Sequence, residues 1–268
     1  MLSGIDFRRK LGRNISIYPF IEGNIESANI CVTASEFAWL IGNKKEDLFI
    51  KKDGKDQICI PAGRSALIFT REAVYLGDKL AGVCLPRLDL SFRGLGCNGA
   101  PMKPGRAELL KMIMYNQTDD DVYIEVGERI AVLMFHELSS KDNTAKQEVD
   151  HNKILDKFLS ECENPEKVKR LNSSREDLND KKSIINKMKN DANYKDYNKS
   201  KNTLLKRFAR NKMLNISGFL LIVLLGLLLF VLLKVSGDKQ NYTTLLTVFI
   251  SIVTPVFGGV LLRKFKME

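Results

Sequence analysis

The chain has 268 residues and a net charge of +10, a length that fits one or two domains. The charge is uneven, because residues 1–150 carry a net −1, residues 151–210 carry +7 and residues 211–268 carry +4. The basic residues lead into the most apolar part of the chain, which argues against a nucleic-acid-binding surface. Five scattered cysteines and only two histidines argue against a structural zinc site and fit a reducing compartment.

Residues 1–140 are predicted to form a mainly β domain. The first residues lack a basic start followed by an apolar run, so we expect no signal peptide, and residues 2–11 fit one short helix. Nine β-branched or aromatic runs follow, at residues 15–18, 30–33, 48–51, 57–60, 65–70, 80–85, 109–115, 122–126 and 129–136. This spacing is typical of a compact β-barrel or sandwich. There is no βαβ alternation and no GxxxxGK[ST] motif, which argues against a Rossmann or P-loop nucleotide site.

Residues 141–211 are predicted to form a basic, charged helical connector. One helical face would carry Ile154, Leu155, Phe158, Leu159 and Cys162. Asn164-Pro165 is expected to end that helix, and Ser173 with Glu176 fits the capping box of a second one. The seven-residue spacing of Leu171, Leu178 and Ile185 is too short a pattern to establish a coiled coil. We therefore expect a solvated helical stalk.

Residues 212–268 are predicted to form a two-helix transmembrane hairpin. The runs 213–233 and 241–262 are uncharged and contain 21 and 22 residues, and a helix of that length spans roughly 30 Å, the thickness of a bilayer core. Lys and Arg cluster outside the two runs rather than in the turn between them. The positive-inside rule then predicts a two-pass protein of a bacterial inner (cell) membrane, with both termini and the β domain in the cytoplasm.

One face of the second run is polar and small. Thr247, Ser251, Thr254 and Gly258 recur at helical spacing. Such a stripe favours close packing against the first span or a neighbouring subunit, and the alternative is a stripe that lines a pore. Both interpretations stay open.

Several motifs of the β domain occur in a familiar order. Residues 60–76 read IPAGRSALIFTREAVYL, Arg87 follows a strand, and Pro104-Gly105 comes before the run that ends at Asn116. Residues 127–135 then read GERIAVLMF. Together they resemble the dCTP deaminase and dUTPase-like superfamily, and are closer to its deaminase branch. The resemblance implies a distorted β-barrel, a homotrimer, and a nucleotide site between subunits.

The resemblance also indicates where a nucleotide would bind. The family's Arg-Ser-Ser-Leu phosphate loop corresponds here to residues 87–90, RLDL, so both hydroxyls are lost. We expect the ligand-binding positions to be Arg87, Asp89, Arg93, Lys103 and Gly105. Arg93 would act as the loop's second arginine.

The catalytic positions of the family are altered. Deamination requires a carboxylate that moves protons, and the family's Glu corresponds to Ile113. The Asp that precedes the Pro-Gly turn corresponds to Lys103 or Met102. We therefore predict no catalytic residue, no metal ligand and no cofactor beyond Mg²⁺ that arrives with a nucleotide. Four spare carboxylates could supply a misassigned base: Glu72, Asp78, Asp89 and Glu108, with pairing of Glu72 to Arg64 or Arg71 as its structural alternative.

These features predict a membrane-anchored, catalytically inactive nucleotide sensor. Its ligand state would control the membrane hairpin, an arrangement suited to bacterial defence against phage. The expected partners are a nucleotide, the lipid bilayer and two further copies of the chain, with no nucleic acid. An active membrane-tethered dCTP deaminase or dUTPase is the first alternative, and a trimerising scaffold is the second.

Overall fold

The computed structural model describes residues 1–140 and 151–203. The chain divides into two compact units, Met1–Lys201 and Asn202–Glu268. None of the helices in the described ranges is long and apolar enough to cross a bilayer. The hairpin predicted at residues 213–233 and 241–262, with its polar stripe, lies outside those ranges and stays a prediction.

The β domain contains the short helix and all nine strands that the sequence predicts. Helix α1 (Gly4–Lys10) begins at Ser3, whose hydroxyl accepts a hydrogen bond from the Asp6 N–H. The twelve strands are β1 (Ile15–Tyr18), β2 (Ile25–Glu26), β3 (Asn29–Ile41), β4 (Phe49–Lys52), β5 (Lys55–Ile60), β6 (Ser65–Leu76), β7 (Leu80–Pro86), β8 (Leu95–Cys97), β9 (Ala100–Met102), β10 (Ala107–Asn116), β11 (Val122–Glu125) and β12 (Arg129–Glu137). The three additional strands have two or three residues each, too short for a recognisable pattern.

The strands form a curled nine-stranded sheet and a smaller three-stranded one. The order in the larger sheet is β8-β10-β6-β3-β12-β7-β9, with β1 paired to β6 and β2 to β3. The smaller sheet has the order β11-β5-β4. All the named pairs are antiparallel. A mainly β, curled domain is therefore confirmed.

Strand β3 bends so that its two halves serve different neighbours. Its first half pairs with β12 and its second half with β6, and the register with β6 shifts between Ala34 and Ala38. Ser35 fills the break, because its hydroxyl donates to the Phe69 carbonyl at 2.8 Å and accepts from the Phe37 N–H at 3.1 Å. The side chain thus replaces ladder bonds that the bend removes.

The inner face of the curled sheet holds the main core. Phe7, Ile17, Phe20, Ile68 and Phe135 are all fully buried there. The rings of Phe7 and Phe135 stack at 5.5 Å, which fixes α1 to β12.

Three helices lie against the outer face of the sheet: α3 (His151–Ser160), α4 (Pro165–Leu178) and α5 (Lys181–Asn190), and residues 192–203 are also helical. We call residues 151–201 the helical cap. Many of its buried side chains share a cluster with side chains of β3, β6 and β10, namely Trp39, Phe69, Tyr75, Leu109, Leu155, Leu159, Leu171, Leu178 and Ile184. Met188, Tyr194 and Tyr197 of the cap instead join the main core. The expectation of a solvated stalk is therefore wrong, because the outer face of the sheet is apolar and needs a cover.

Local details of the cap also differ from expectation. Asn164 caps α4, because its side chain accepts a hydrogen bond from the Lys167 N–H. Ser173 lies inside α4, so the predicted capping box at Ser173 and Glu176 is wrong. Asp180 caps α5. The seven-residue spacing of Leu171, Leu178 and Ile185 is therefore divided between α4 and α5 and does not lie on one continuous helix. Ile154 is 67% exposed and does not belong to the buried face of α3.

A buried cation fastens the cap to the sheet. The Lys167 ammonium pairs with Asp47 and lies 5.3 Å and 5.1 Å from the ring centroids of Trp39 and Phe49. Burial lowers the pKa of Lys167, and the hydrogen bond to Asp47 opposes that shift. The indole N–H of Trp39 donates to the Glu163 carbonyl at 3.1 Å. Both ties join β3 and the turn after it to α4.

Candidate functional site

Arg87 lies at the point where β7 ends and the one-turn helix α2 (Leu88–Phe92) begins. Its guanidinium donates to Asp89 at 3.0 Å and 3.3 Å, to Glu26 at 3.5 Å and to the Cys31 sulfur at 3.3 Å. The bond to Asp89 is the main cause that raises the pKa of Arg87. Burial raises the pKa of the Cys31 thiol, and its hydrogen bond to Glu26 adds to the shift. The arginine is thus positioned and largely neutralised by carboxylates of its own chain.

Arg93 follows α2 and points to a different part of the fold. Its guanidinium pairs with Glu128 and donates to the Tyr123 carbonyl. These contacts tie α2 to the turn between β11 and β12. The structure therefore pairs Arg87 with Asp89 and gives Arg93 a separate acidic partner, Glu128.

Helix α2 presents apolar side chains where the family loop has hydroxyls. Leu88 is 70% exposed and Phe92 is 82% exposed, whereas Leu90 is buried. Leu88 and Phe92 are four residues apart, so they lie on one face of the helix. The face of α2 that carries Leu88 and Phe92 is consequently apolar, and position 88 cannot donate a hydroxyl hydrogen bond.

Lys103 and Gly105 occupy the turn between β9 and β10. Gly105 has φ +71°, and a Cβ there would meet the Asp78 carboxylate at 3.0 Å, so the turn requires glycine. Lys103 is exposed. Because Met102 pairs with Gly82 near the start of β7, whereas Arg87 follows the end of that strand, about 20 Å separates the two basic residues in one copy.

Ile113 lies on the outward face of β10, three residues before Asn116. Its side chain is 43% exposed, while its neighbours Met112 and Met114 are buried. Asn116 is a structural residue, because its amide donates to the Ile60 and Asp120 carbonyls at 3.0 Å and 2.7 Å. Position 113 thus faces outward and can meet a ligand, yet isoleucine has no group that exchanges protons.

The carboxylate of Glu72 is buried and does not pair with Arg64 or Arg71 in an ion pair. It accepts from the Thr33 N–H at 2.7 Å and from the Thr33 hydroxyl at 2.8 Å. Burial raises its pKa, and the two bonds from Thr33 oppose the shift. These two hydrogen bonds join β6 to β3. Because Glu72 is only 1% exposed, its carboxylate does not reach a substrate.

The remaining carboxylates lie apart from one another. Asp78 is exposed beside the Gly105 turn, Asp89 binds Arg87, and Glu108 lines a cavity under the helical cap. Throughout the described ranges, no three His, Cys, Asp or Glu side chains are close enough to hold a metal ion.

A glycine spacing of the GxGxxG type does occur, at Gly94, Gly96 and Gly99. Two of these glycines flank or occupy the short strand β8, and no helix follows them before β9. The dinucleotide fingerprint requires a strand, a tight turn and then a helix. These glycines therefore do not form one.

Sequence reasoning missed the acidic partners of the two arginines. Glu26 and Glu128 are distant from Arg87 and Arg93 along the chain and meet them only when β2, β3 and β12 pair. No local motif contains these pairs. The basic side chains that line the cavity under the cap were missed for the same reason.

Comparisons with known proteins agree on one family. The dUTPase family profile matches residues 54–162. The dCTP deaminase of Pyrococcus horikoshii is 30% identical over 126 residues, which cover 47% of this chain and 78% of that protein. The dCTP deaminase of Pyrococcus abyssi is 28% identical over 131 residues, covering 49% and 82% of the two chains.

Solved structures add distant similarities. The dCTP deaminase of Agrobacterium tumefaciens aligns with a TM-score of 0.41 and 10% identity, over 50% of this chain and 45% of that one. The dUTPase of Staphylococcus bacteriophage 80alpha, solved with dUPNHPP, aligns with a TM-score of 0.35 and 14% identity, over 48% and 86%. Both TM-scores are low, and the assignment rests on the sequence relatives. Because the dCTP deaminase of Pyrococcus horikoshii is 30% identical and is matched over 78% of its length, the chain belongs to the dCTP deaminase and dUTPase family.

Proposed function

We propose that residues 1–140 bind a deoxynucleotide without converting it. The observation that carries the proposal is Ile113, an outward-facing side chain at the position where the family resemblance requires a carboxylate. Deamination and the activation of water both require a group that accepts a proton. Binding requires only cations and shape, and Arg87 remains at the start of the loop.

The electrostatics around Arg87 support binding that is coupled to a local rearrangement. A phosphate group would compete with Asp89 and Glu26 for the same guanidinium. Releasing these partly exposed carboxylates costs little, because exposed ion pairs contribute only about 0–1 kcal/mol. A terminal phosphate carries more negative charge than one carboxylate and has three acceptor oxygens, which favours the exchange.

Exposed apolar side chains support a homotrimer with the site between copies. Leu85, Leu88, Phe92 and Ile113 are the large apolar side chains of β7, α2 and β10 that remain exposed, at 39%, 70%, 82% and 43%. Exposed apolar side chains of this size favour burial against a partner.

We further propose that the domain controls a membrane hairpin. The uncharged runs at residues 213–233 and 241–262 and their basic flanks support a two-pass anchor with the domain on the cytoplasmic side. A sensor that alters the membrane when a nucleotide pool changes would suit defence against phage. An active membrane-tethered enzyme is the competing function, and the relatives named dCTP deaminase favour it.

Calorimetric titration of the full-length protein in detergent tests the binding proposal. The panel is dCTP, dUTP, dTTP, dATP and cyclic mononucleotides, each with magnesium. We expect one of these to bind, and Arg87→Ala to weaken it roughly tenfold or more by removing a charge-assisted contact of about 1.5–3 kcal/mol. Lys79→Ala, an exposed cation after β6, is the matched control. Absence of binding across the panel would favour the scaffold.

A further inference from the structure

A cavity of about 330 Å³ lies where the helical cap meets the sheet. Residues 105–109 and Lys111 line it from the sheet side, together with Phe69. The cap contributes Leu155, Arg175, Asn179 and Lys181. The volume is that of a small-molecule site, and the cavity exists only while the cap is docked.

The lining of this cavity is strongly basic. Arg106 and Lys111 come from the sheet, Arg175 and Lys181 come from the cap, and Glu108 is the one carboxylate among the lining residues. The lining thus has four cations and one carboxylate, and Asp156, which is not a lining residue, pairs with Arg175. Like charges that converge on one concave space repel each other, and an anion that enters relieves the repulsion.

The cavity wall is held in place by specific contacts. The register between β10 and β6 shifts between Leu109 and Lys111, and the Leu109 N–H donates to the Asn179 side chain at 3.2 Å. On the cap, Arg175 is fixed by Asp156 at 2.9 Å and by Asn172 at 3.0 Å. The sheet and the cap are thereby joined at the rim of the cavity.

Lys181 and Lys111 are the cations most available to a ligand. The Lys181 ammonium lies 5.0 Å from the centroid of the Tyr75 ring, at the first turn of α5. In the described part of the chain, neither lysine forms an ion pair with a carboxylate. Their charges approach the cavity from opposite walls, one from the sheet and one from the cap.

We propose that this cavity binds the phosphate groups of a small phosphorylated molecule, at a site separate from Arg87. Phosphate oxygens fit a lining of lysines and arginines, and Glu108 and Asn179 add an acceptor and an amide for the hydroxyl groups of the same ligand. Because both walls contribute cations, the ligand would stabilise the docked cap relative to an undocked one. The docked cap precedes the residues that lead to the predicted membrane hairpin.

The test uses the full-length protein in detergent and inorganic tripolyphosphate as the probe. Calorimetry measures binding to the wild type, to the double variant Lys111→Gln with Lys181→Gln, and to Arg87→Gln. Lys189→Gln is the matched control, because this exposed lysine ends the same helix away from the cavity. Hydrogen exchange of residues 165–190 with and without the probe reports whether the cap becomes more protected.

We expect the double variant to lose the cavity binding event, with tripolyphosphate bound there at least tenfold more weakly, and the probe to slow exchange in α4 and α5. Lys189→Gln should bind like the wild type. Arg87→Gln should keep the cavity binding event, whatever it loses at the Arg87 site. Loss of binding in Arg87→Gln alone, or equal binding in the double variant, would overturn the proposal. Absence of any binding by the wild type would overturn it too. Since the nucleotide proposal rests on Arg87, each proposal can fail while the other stands.

Discussion

Removal of the Asp47 carboxylate should strongly destabilise the protein. Asp47 accepts from the buried Lys167 ammonium, from the Asn164 amide at 3.2 Å and from the Phe49 N–H at 3.0 Å. The Lys167 side chain is only 3% exposed, so Asp47→Ala leaves a buried cation without a counter-charge. Breaking a buried pair from one side costs about 3–5 kcal/mol. We expect the free energy of unfolding to fall by that amount.

Replacement of the other partner, Lys167, should lower the free energy of unfolding by less. Lys167→Met keeps most of the side-chain volume beside Trp39 and Phe49 and removes the cation altogether. Asp47 then retains two of its donors and is 19% exposed, so water can solvate it. We expect a loss of about 1.5–3 kcal/mol, the contribution of one hydrogen bond to a charged group.

Urea unfolding measured by tryptophan fluorescence compares these variants. Trp39 is the single tryptophan and is fully buried at the contact in question. Asp56→Ala is the control, because its pair with Lys51 is exposed at 53% and 77% and should change stability by less than about 0.5 kcal/mol. Equal effects of Asp47→Ala and Asp56→Ala, or a larger effect of Lys167→Met, would refute the reasoning.

Three further predictions concern pH, topology and assembly. Burial raises the pKa of Glu72, so the folded protein holds this proton to a higher pH than the unfolded chain, and stability should fall as pH rises from the ordinary value of 4.5 through the raised one. This dependence of stability on pH can reach ~1.4 kcal/mol per pH unit. Urea unfolding between pH 4 and 8 should show a smaller dependence for Glu72→Gln. An unchanged dependence would contradict the role of Glu72. Reporter fusions should place a tag after Lys266 in the cytoplasm and a tag at Gly237-Asp238 outside, and the opposite pattern would reject the predicted orientation. Light scattering of the full-length protein in detergent should give a trimer, and Leu88→Ser with Phe92→Ser should lower its mass; a wild-type monomer would contradict the intersubunit site.

The sequence predicts the β domain well because its signals are local. Each of the nine predicted strands has its own β-branched or aromatic run, and each is present in the structure. The turn at Pro104-Gly105 and the end of the strand at Asn116 also follow from residue type and order. Strands β2, β8 and β9 were missed because two or three residues carry no periodicity.

The docking of the cap could not be predicted in the same way. The charged composition of residues 151–201 favours a solvated helix, and the apolar side chains that cover the sheet are sparse. Their partners are distant along the chain, 124 residues for Trp39 and Glu163 and 70 residues for Leu109 and Asn179. The ion pairs of Arg87 and Arg93 depend on strand pairing in the same non-local way. Periodicity reports which face is buried but does not identify what covers it.

The most direct test of the central claim is a product assay on the full-length protein with dCTP and dUTP. We predict binding without any dUTP formed from dCTP, or dUMP formed from dUTP, above background, because Ile113 cannot act as a base and its loss typically costs ~10²–10⁴ in rate. Ile113→Glu alone should not restore activity, since Leu88 and Asp89 still alter the phosphate loop. Measurable product from the unmodified protein, abolished by Glu108→Gln, would contradict the account and establish an active enzyme.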